Sequence, residues 1–154
     1  MKKKLLFWIF VILSAAWLAF IISRSLKPAA DSDMESGRLL AFVQKLLPLM
    51  TMKLIRKIAH FTEFAVLGTL LCGAMLNYWG KHNWLTVFLI ALLSALADET
   101  VQLFVEGRSG QVSDVWIDFS GAFFATALVA LCAFIRRKRR EKKQTQAEKA
   151  ATKE

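Results

Sequence analysis

The chain has little of what staples small secreted or metal-binding domains together. Among 154 residues there are two cysteines, Cys72 and Cys132. Both fall in apolar stretches, so neither a disulfide nor a cysteine-based zinc site is expected, and each reads as a small hydrophobe. Both prolines, Pro28 and Pro48, sit in one loop and leave the apolar stretches uninterrupted. No internal repeat is evident. A lysine-rich start followed by an apolar run resembles a signal peptide. That run is long, however, and no A-x-A-like cleavage site follows it, so it reads as an uncleaved first span.

What the chain has in abundance is apolar surface. Hydrophobic residues make up 56% of it and mean hydropathy is positive, at +0.43. Four apolar segments carry the excess: Leu5–Ile22, Ile58–Leu76, Trp84–Phe104 and Val115–Ile135. Each is close to the roughly 20 residues that a helix needs to cross a bilayer. The expected fold is therefore all-α, an integral membrane four-helix bundle with an amphipathic helix in the first outer loop. By residues, 1–22 form the first span, 23–57 the outer loop, 58–135 a core of three spans and 136–154 a basic tail.

Charge is confined in an informative way. The net +9 comes from the ends, with Lys2, Lys3 and Lys4 at the start and nine basic against three acidic residues from Arg136 to Glu154. An even number of spans puts both ends on one side, and positive-inside orientation makes that side cytoplasmic. With Lys81, 13 basic residues lie inside and eight outside. The tail reads as a topology anchor that also touches anionic lipid, not as a nucleic-acid arm. The implied location is a bacterial cytoplasmic membrane, multi-pass, with both termini in the cytoplasm.

In the first loop, Pro28 to Gly37 is polar and turn-rich. From Gly37 to Leu47 the residues Leu39, Leu40, Phe42, Val43, Leu46 and Leu47 follow amphipathic helical spacing, which Pro48 ends. Met50 to Lys57 leads into the second span as continuous helix. Asn77 to Asn83 is a short inner turn flanked by Trp79 and Trp84 at the interface. Glu106 to Ser113 is a short outer loop. The final dozen residues read as a solvated or frayed tail. Gly68 and Cys72, Ala91 and Ala95, and Gly121 and Ala125 are small residues four apart, a spacing that lets membrane helices approach closely.

Against this apolar background stand His60, Glu63, Asp98, Glu99, Asp114 and Asp118. Ionisable groups in a membrane are costly and mark working sites. At 1.5 Å rise per residue, His60 lies about 3 Å in and Glu63 about 8 Å, Asp98 and Glu99 lie about 8–9 Å below the same surface, and Asp118 about 5 Å, with Asp114 at the rim. The inner halves of these spans carry no charged residue, which removes the polar path that a proton-coupled transporter would need. Arg56, His60 and Glu63 share one helix face, as do Asp98 and Gln102, and Asp114 and Asp118. Three polar stripes can thus meet in one outward-facing pocket.

Five carboxylates face Arg56, Lys57 and Arg108, which leaves two negatives before His60 is counted. A protonated carboxyl, a charged His60 or a bound cation would each resolve this. No cofactor and no metal are assigned, although His60, Glu63 and Asp98 could hold a cation. A buried ion-pair network that fixes helix register is the non-functional alternative. Ser109 and Ser113, in the loop near His60, allow a Ser–His–Asp reading on residue type alone.

The run from Lys57 to Phe64 with His60 and Glu63, followed by Leu67 and Gly68, resembles the first signature of the VanZ-like family. Asp98, Glu99 and Gln102, then Gly107 and Arg108, then Asp114, Asp118 and Gly121 resemble the second. The match runs from about Lys57 to Leu131. Glu106 stands where a proline commonly precedes Gly-Arg, and Phe64 replaces a frequent tyrosine. The resemblance implies pocket residues Lys57, His60, Glu63, Asp98, Glu99, Gln102, Arg108, Asp114 and Asp118, with Arg108 and Lys57 as counter-charges. It implies a bacterial membrane protein of the type linked to teicoplanin resistance, with no agreed reaction. The expected role is cell-envelope binding or accessory, in the bilayer, with a lipid headgroup, cell-wall precursor or glycopeptide as ligand. The alternative is a membrane-embedded enzyme on lipid-linked substrates, with Glu63 or Asp98 as acid or base and His60 as partner.

Overall fold

The computed structural model describes residues 2–79 and 83–151. Five helices follow in order: α1 (Lys2–Ser25), α2 (Ala29–Val43), α3 (Met52–Trp79), α4 (Trp84–Gln102) and α5 (Val112–Ala151). Among the described residues there is no strand. Four of the helices, all but α2, are long and apolar enough to cross a membrane, which makes the chain a multi-pass membrane protein. Large apolar side chains such as Leu5, Trp8, Leu93 and Phe134 stay exposed on their flanks. A lipid solvent explains that exposure, since acyl chains solvate leucine as well as a protein core does.

α3 is the central element and touches the other four helices; its largest interface is with α5 and its next with α1. The α3–α5 interface is close because its contact residues are small. A Cβ on Gly68 would lie 2.9 Å from the Cα and carbonyl oxygen of Ala122, and one on Gly121 would overlap the Phe61 carbonyl. The small-residue spacing therefore does what it predicts for Gly68 and Gly121. Phe64, Leu67, Leu71, Cys72, Val87 and Ala95 form the buried core with Ile21 and Val115. Cys72 and Cys132 are free thiols, and the Cys72 thiol lies 3.6 Å from the Thr126 hydroxyl.

Side-chain contacts fix the helix directions. The Phe7 ring lies 4.9 Å from that of Tyr78, so the start of α1 meets the end of α3. Arg24 meets Glu63, so the end of α1 meets the start of α3. The basic N-terminal residues thus lie at the opposite end of the bundle from the acidic cluster.

Local chemistry sets the boundaries, with some departures from expectation. The predicted turn-rich stretch Pro28 to Gly37 is instead the first half of α2, which begins at Ala29 rather than Gly37. Pro28 occupies the N-cap, where a missing N–H costs nothing, and its carbonyl accepts from Ser32 N at 3.2 Å. α2 ends at Val43, before Pro48, and Gln44 to Leu46 form turns. Thr51 caps α3 through its hydroxyl to Leu54 N. Asn83 caps α4 by accepting from Thr86 N. α4 stops at Gln102, two residues short of Phe104. Gly107, at φ 72°, takes the left-handed turn that only glycine adopts freely. Of the expected solvated or frayed tail, the residues through Ala151 continue α5 as helix, those up to Gln146 are exposed and include an Arg137–Glu141 pair at i, i+4, and 152–154 lie outside the described residues. Of the expected inner turn, Gly80, Lys81 and His82 lie outside the described residues.

Candidate functional site

At the end of the bundle away from the N-terminus, α3, α4 and α5 each present acidic or basic side chains to a common centre. Its floor is buried. Asp98 and Asp118 are both 0% exposed, and Glu99 and Gln102 are also buried. His60 comes in from α3, its Nδ1 3.1 Å from Asp118 Oδ1 and 3.8 Å from Asp98 Oδ2. Gln102 Nε2 donates to Asp98 Oδ2 and to Glu99 Oε1, each at 3.2 Å. Gln111 N donates to Glu99 Oε2 at 2.8 Å, so the start of the α5 loop also grips the floor. Asp98 Oδ1 and Asp118 Oδ2 are buried without a hydrogen-bond partner. That arrangement is costly for a carboxylate and uncommon in folded proteins.

Above the floor lies a cavity of about 300 Å³, reached by His60, Gln102 and Asp114 and ringed by Lys53, Arg56, Lys57 and Arg108. Lys57 pairs with Asp114 across 3.5 Å. The local frame explains why these groups converge. Arg56 and His60 are one turn apart on α3, Asp98 and Gln102 one turn apart on α4, and Asp114 and Asp118 one turn apart on α5. Close α3–α5 contact at Gly121 brings the α3 and α5 stripes together.

Two expected counter-charges act elsewhere. Arg108 does not pair with the acids. Its guanidinium donates to the main-chain carbonyls of Lys27 at 2.8 Å and Arg24 at 3.1 Å, satisfying the orphan end of α1. Burial, with Arg56 nearby, pulls its pKa below the ordinary arginine value, and it stays charged. Arg56 reaches Asp33 of α2 at 3.0 Å. Glu63 is not left with His60 alone, because Arg24 Nε lies 3.1 Å from its carboxylate and Trp17 Nε1 donates to its carbonyl.

Arg24 and Lys27, and the Ser32, Asp33 and Glu35 of α2, were not among the sequence candidates. Ser32 and Ser36 form the buried face of α2 and join Arg24, His60, Glu63 and Arg108 around a second, smaller pocket. Glu35 pairs with Lys27 and Arg24, and the Lys27 hydrogen bond holds its carboxyl below the usual range. The signal that could have found them is the charge run Arg24, Lys27, Asp31, Asp33 and Glu35 right after the first span. The apolar residues of α2 meanwhile point outward, with Leu39 and Phe42 exposed. An amphipathic helix is present, but its polar face is turned to the protein.

The serine reading finds no support. Ser113 Oγ donates to Gln111 and Asp114, and Ser109 Oγ accepts from Gln111; neither hydroxyl contacts His60. What remains is a histidine held by a carboxylate at the base of a basic-rimmed cavity. A family model described as VanZ/LLP1 matches residues 10–134, adding most of α1 and all of α2 to the stretch that carries the two signatures. No curated protein and no solved structure matches the chain.

Proposed function

This chain belongs to the VanZ/LLP1 family, and from that premise we propose a binding or accessory role at the bacterial cell envelope, in which the cavity holds a phosphate-bearing lipid headgroup or a lipid-linked cell-wall precursor. The observation that carries this is a ring of cations around a polar cavity at the end of the bundle. Lys53, Arg56, Lys57 and Arg108 ring the polar cavity. The smaller pocket, which shares Arg56, His60 and Arg108 with this cavity, also shares Ala59 and Glu63 with an apolar groove of about 470 Å³ between α1, α2 and α3, lined by Trp17, Phe20, Leu39, Ile55 and Ile58. Arginine and lysine suit phosphate, which would draw Arg56 from Asp33 and Lys57 from Asp114, and the groove suits an acyl chain. Basic residues at both chain ends favour an outward-facing cavity.

The test uses the protein in nanodiscs of zwitterionic lipid, titrated with short-chain phosphatidylglycerol. Lys53→Ala with Arg56→Ala should weaken binding about tenfold, the loss of roughly 1.4 kcal/mol. Equal affinity in the double variant would remove the headgroup reading. A reporter fused after Glu154 should read cytoplasmic, and an external signal there would invert the cavity. The glycopeptide link belongs to the same proposal: cells carrying Asp98→Asn should change in teicoplanin susceptibility while keeping the protein in the membrane. Unchanged susceptibility would separate this chain from resistance without touching headgroup binding.

One observation favours an enzymatic reading instead. The His60–Asp118 hydrogen bond orients an imidazole that lines the cavity, which is a general-base arrangement. Turnover of a lipid-linked phosphoester that His60→Gln abolishes would establish it. Headgroup binding without turnover would leave the accessory role standing.

A further inference from the structure

We propose that His60, Asp98, Glu99 and Asp118 form a site for a divalent transition-metal ion of the manganese, iron or zinc class, set in the floor of the cavity. Four ligand atoms, one from each residue, lie within 4.8 Å of one another. They come from α3, α4 and α5, so the site exists only when the bundle is assembled. Tetrahedral ligands at about 2.1 Å from an ion lie about 3.4 Å apart, so side-chain rotations that close the widest pair by roughly an ångström complete the coordination.

A cluster of acids alone would not carry the assignment. The unpartnered oxygens do. Asp118 Oδ2 is buried without a donor on a side chain that is 0% exposed, and Asp98 Oδ1, equally buried, makes no hydrogen bond of good geometry, with only the buried Ser25 hydroxyl of α1 beside that carboxylate. Apart from Lys53 at the cavity rim, the surrounding cations are engaged elsewhere. Arg24 holds Glu63, Arg56 holds Asp33, Lys57 holds Asp114 and Arg108 holds two main-chain carbonyls. Three buried carboxylates therefore share one imidazole. A divalent ion among these ligand atoms cancels two of the three charges.

The donor set narrows the ion. One imidazole and three carboxylates suit manganese, iron or zinc better than calcium or magnesium, which favour all-oxygen shells. The outer shell is in place. Gln102 donates to Asp98 and Glu99, and Gln111 N donates to Glu99, which fixes both carboxylates from behind. His60 also lines the cavity, so an ion here would face whatever occupies it. The site stands without the headgroup reading: metal binding and phosphatidylglycerol binding are measured separately, and either can fail alone.

The experiment uses the full chain without a polyhistidine tag, purified in detergent without chelator. Elemental analysis should find about one manganese, iron or zinc per chain. After chelation, added Mn²⁺ should lose its free electron paramagnetic resonance signal and raise the unfolding temperature. Asp98→Asn with Asp118→Asn should abolish both effects, and Gln102→Ala should weaken Mn²⁺ about tenfold through the outer shell. Wild-type protein that takes up neither Mn²⁺ nor Zn²⁺ would overturn the proposal whether or not the variants fold. So would equal Mn²⁺ uptake by the double aspartate variant.

Discussion

The two ends of the bundle are built from the same helices by different chemistry. At the end that holds the N-terminus, contacts are apolar or weakly polar. Phe7 meets Tyr78, Phe10 fills the space beside Gly73, and the Cys72 thiol meets Thr126. At the other end, ion pairs and hydrogen bonds link all five helices, and two carboxylate oxygens still lack partners. An apolar end needs only shape. A charged end in a membrane must place every group against a partner, because an unpaired one is costly in hydrocarbon. The lesson is that stability and chemistry are divided along the helix axes, with the half that can do chemistry carrying the polar burden.

The largest predicted effect strikes where the two halves join. Gly121→Leu would drive a side chain into the Phe61 backbone, which cannot yield as a ring can. It should cost about 3 kcal/mol or more and prevent α3 and α5 from seating. Thermal unfolding in detergent would show it, and a tolerated leucine would mean that the α3–α5 contact is not the frame of the site. Gly73→Ala at the other end meets only the Phe10 ring and should cost much less, about 1 kcal/mol.

Next comes Arg108→Ala. It removes two hydrogen bonds from a charged donor to the end of α1, and should cost about 2 kcal/mol. Protease cleavage near Lys27 should rise with it. Wild-type resistance in this variant would show that α1 ends securely without the guanidinium. Arg108→Lys should rescue only in part, since an ammonium lacks the planar fork.

Cys72→Ala should be smaller, about 1 kcal/mol, because it empties little volume in the apolar half and loses one weak contact. A loss as large as that of Arg108→Ala would mean that the division between the halves is false. The smallest effect belongs to Glu35, whose partners lie at the surface. Its carboxyl sits below its ordinary value in the folded protein, so its contribution is present above that value and fades as pH falls through the lowered one. Acidification should loosen α2, measured by hydrogen exchange, before it unfolds the spans, and Glu35→Gln should remove that step.

Much of the site was legible because its signals are local. A carboxylate one turn from a glutamine on an oily helix announces both depth and face, so Asp98 with Gln102 and Asp114 with Asp118 could be placed by counting. The partners were not legible. Arg108 looked like a counter-charge because its charge is countable, whereas the unmet carbonyls of α1 that claim it lie 81 and 84 positions away along the chain. α2 was half-read, since its leucines show helical spacing while the segment before them, Pro28 to Gly37, is polar enough to pass for turn.

Sequence alone determined that four segments are long and apolar enough to cross a membrane and that the titratable groups of three of them fall near the same end. Hydropathy and helical rise are properties of neighbouring residues, and they hold before any two helices touch. Only the tertiary structure decided which charge meets which: Arg24 takes Glu63, Arg56 leaves for α2, and His60 is left among three buried carboxylates. Those choices depend on how helix faces turn towards one another, and small residues at the α3–α5 contact set that rotation with ångström reach.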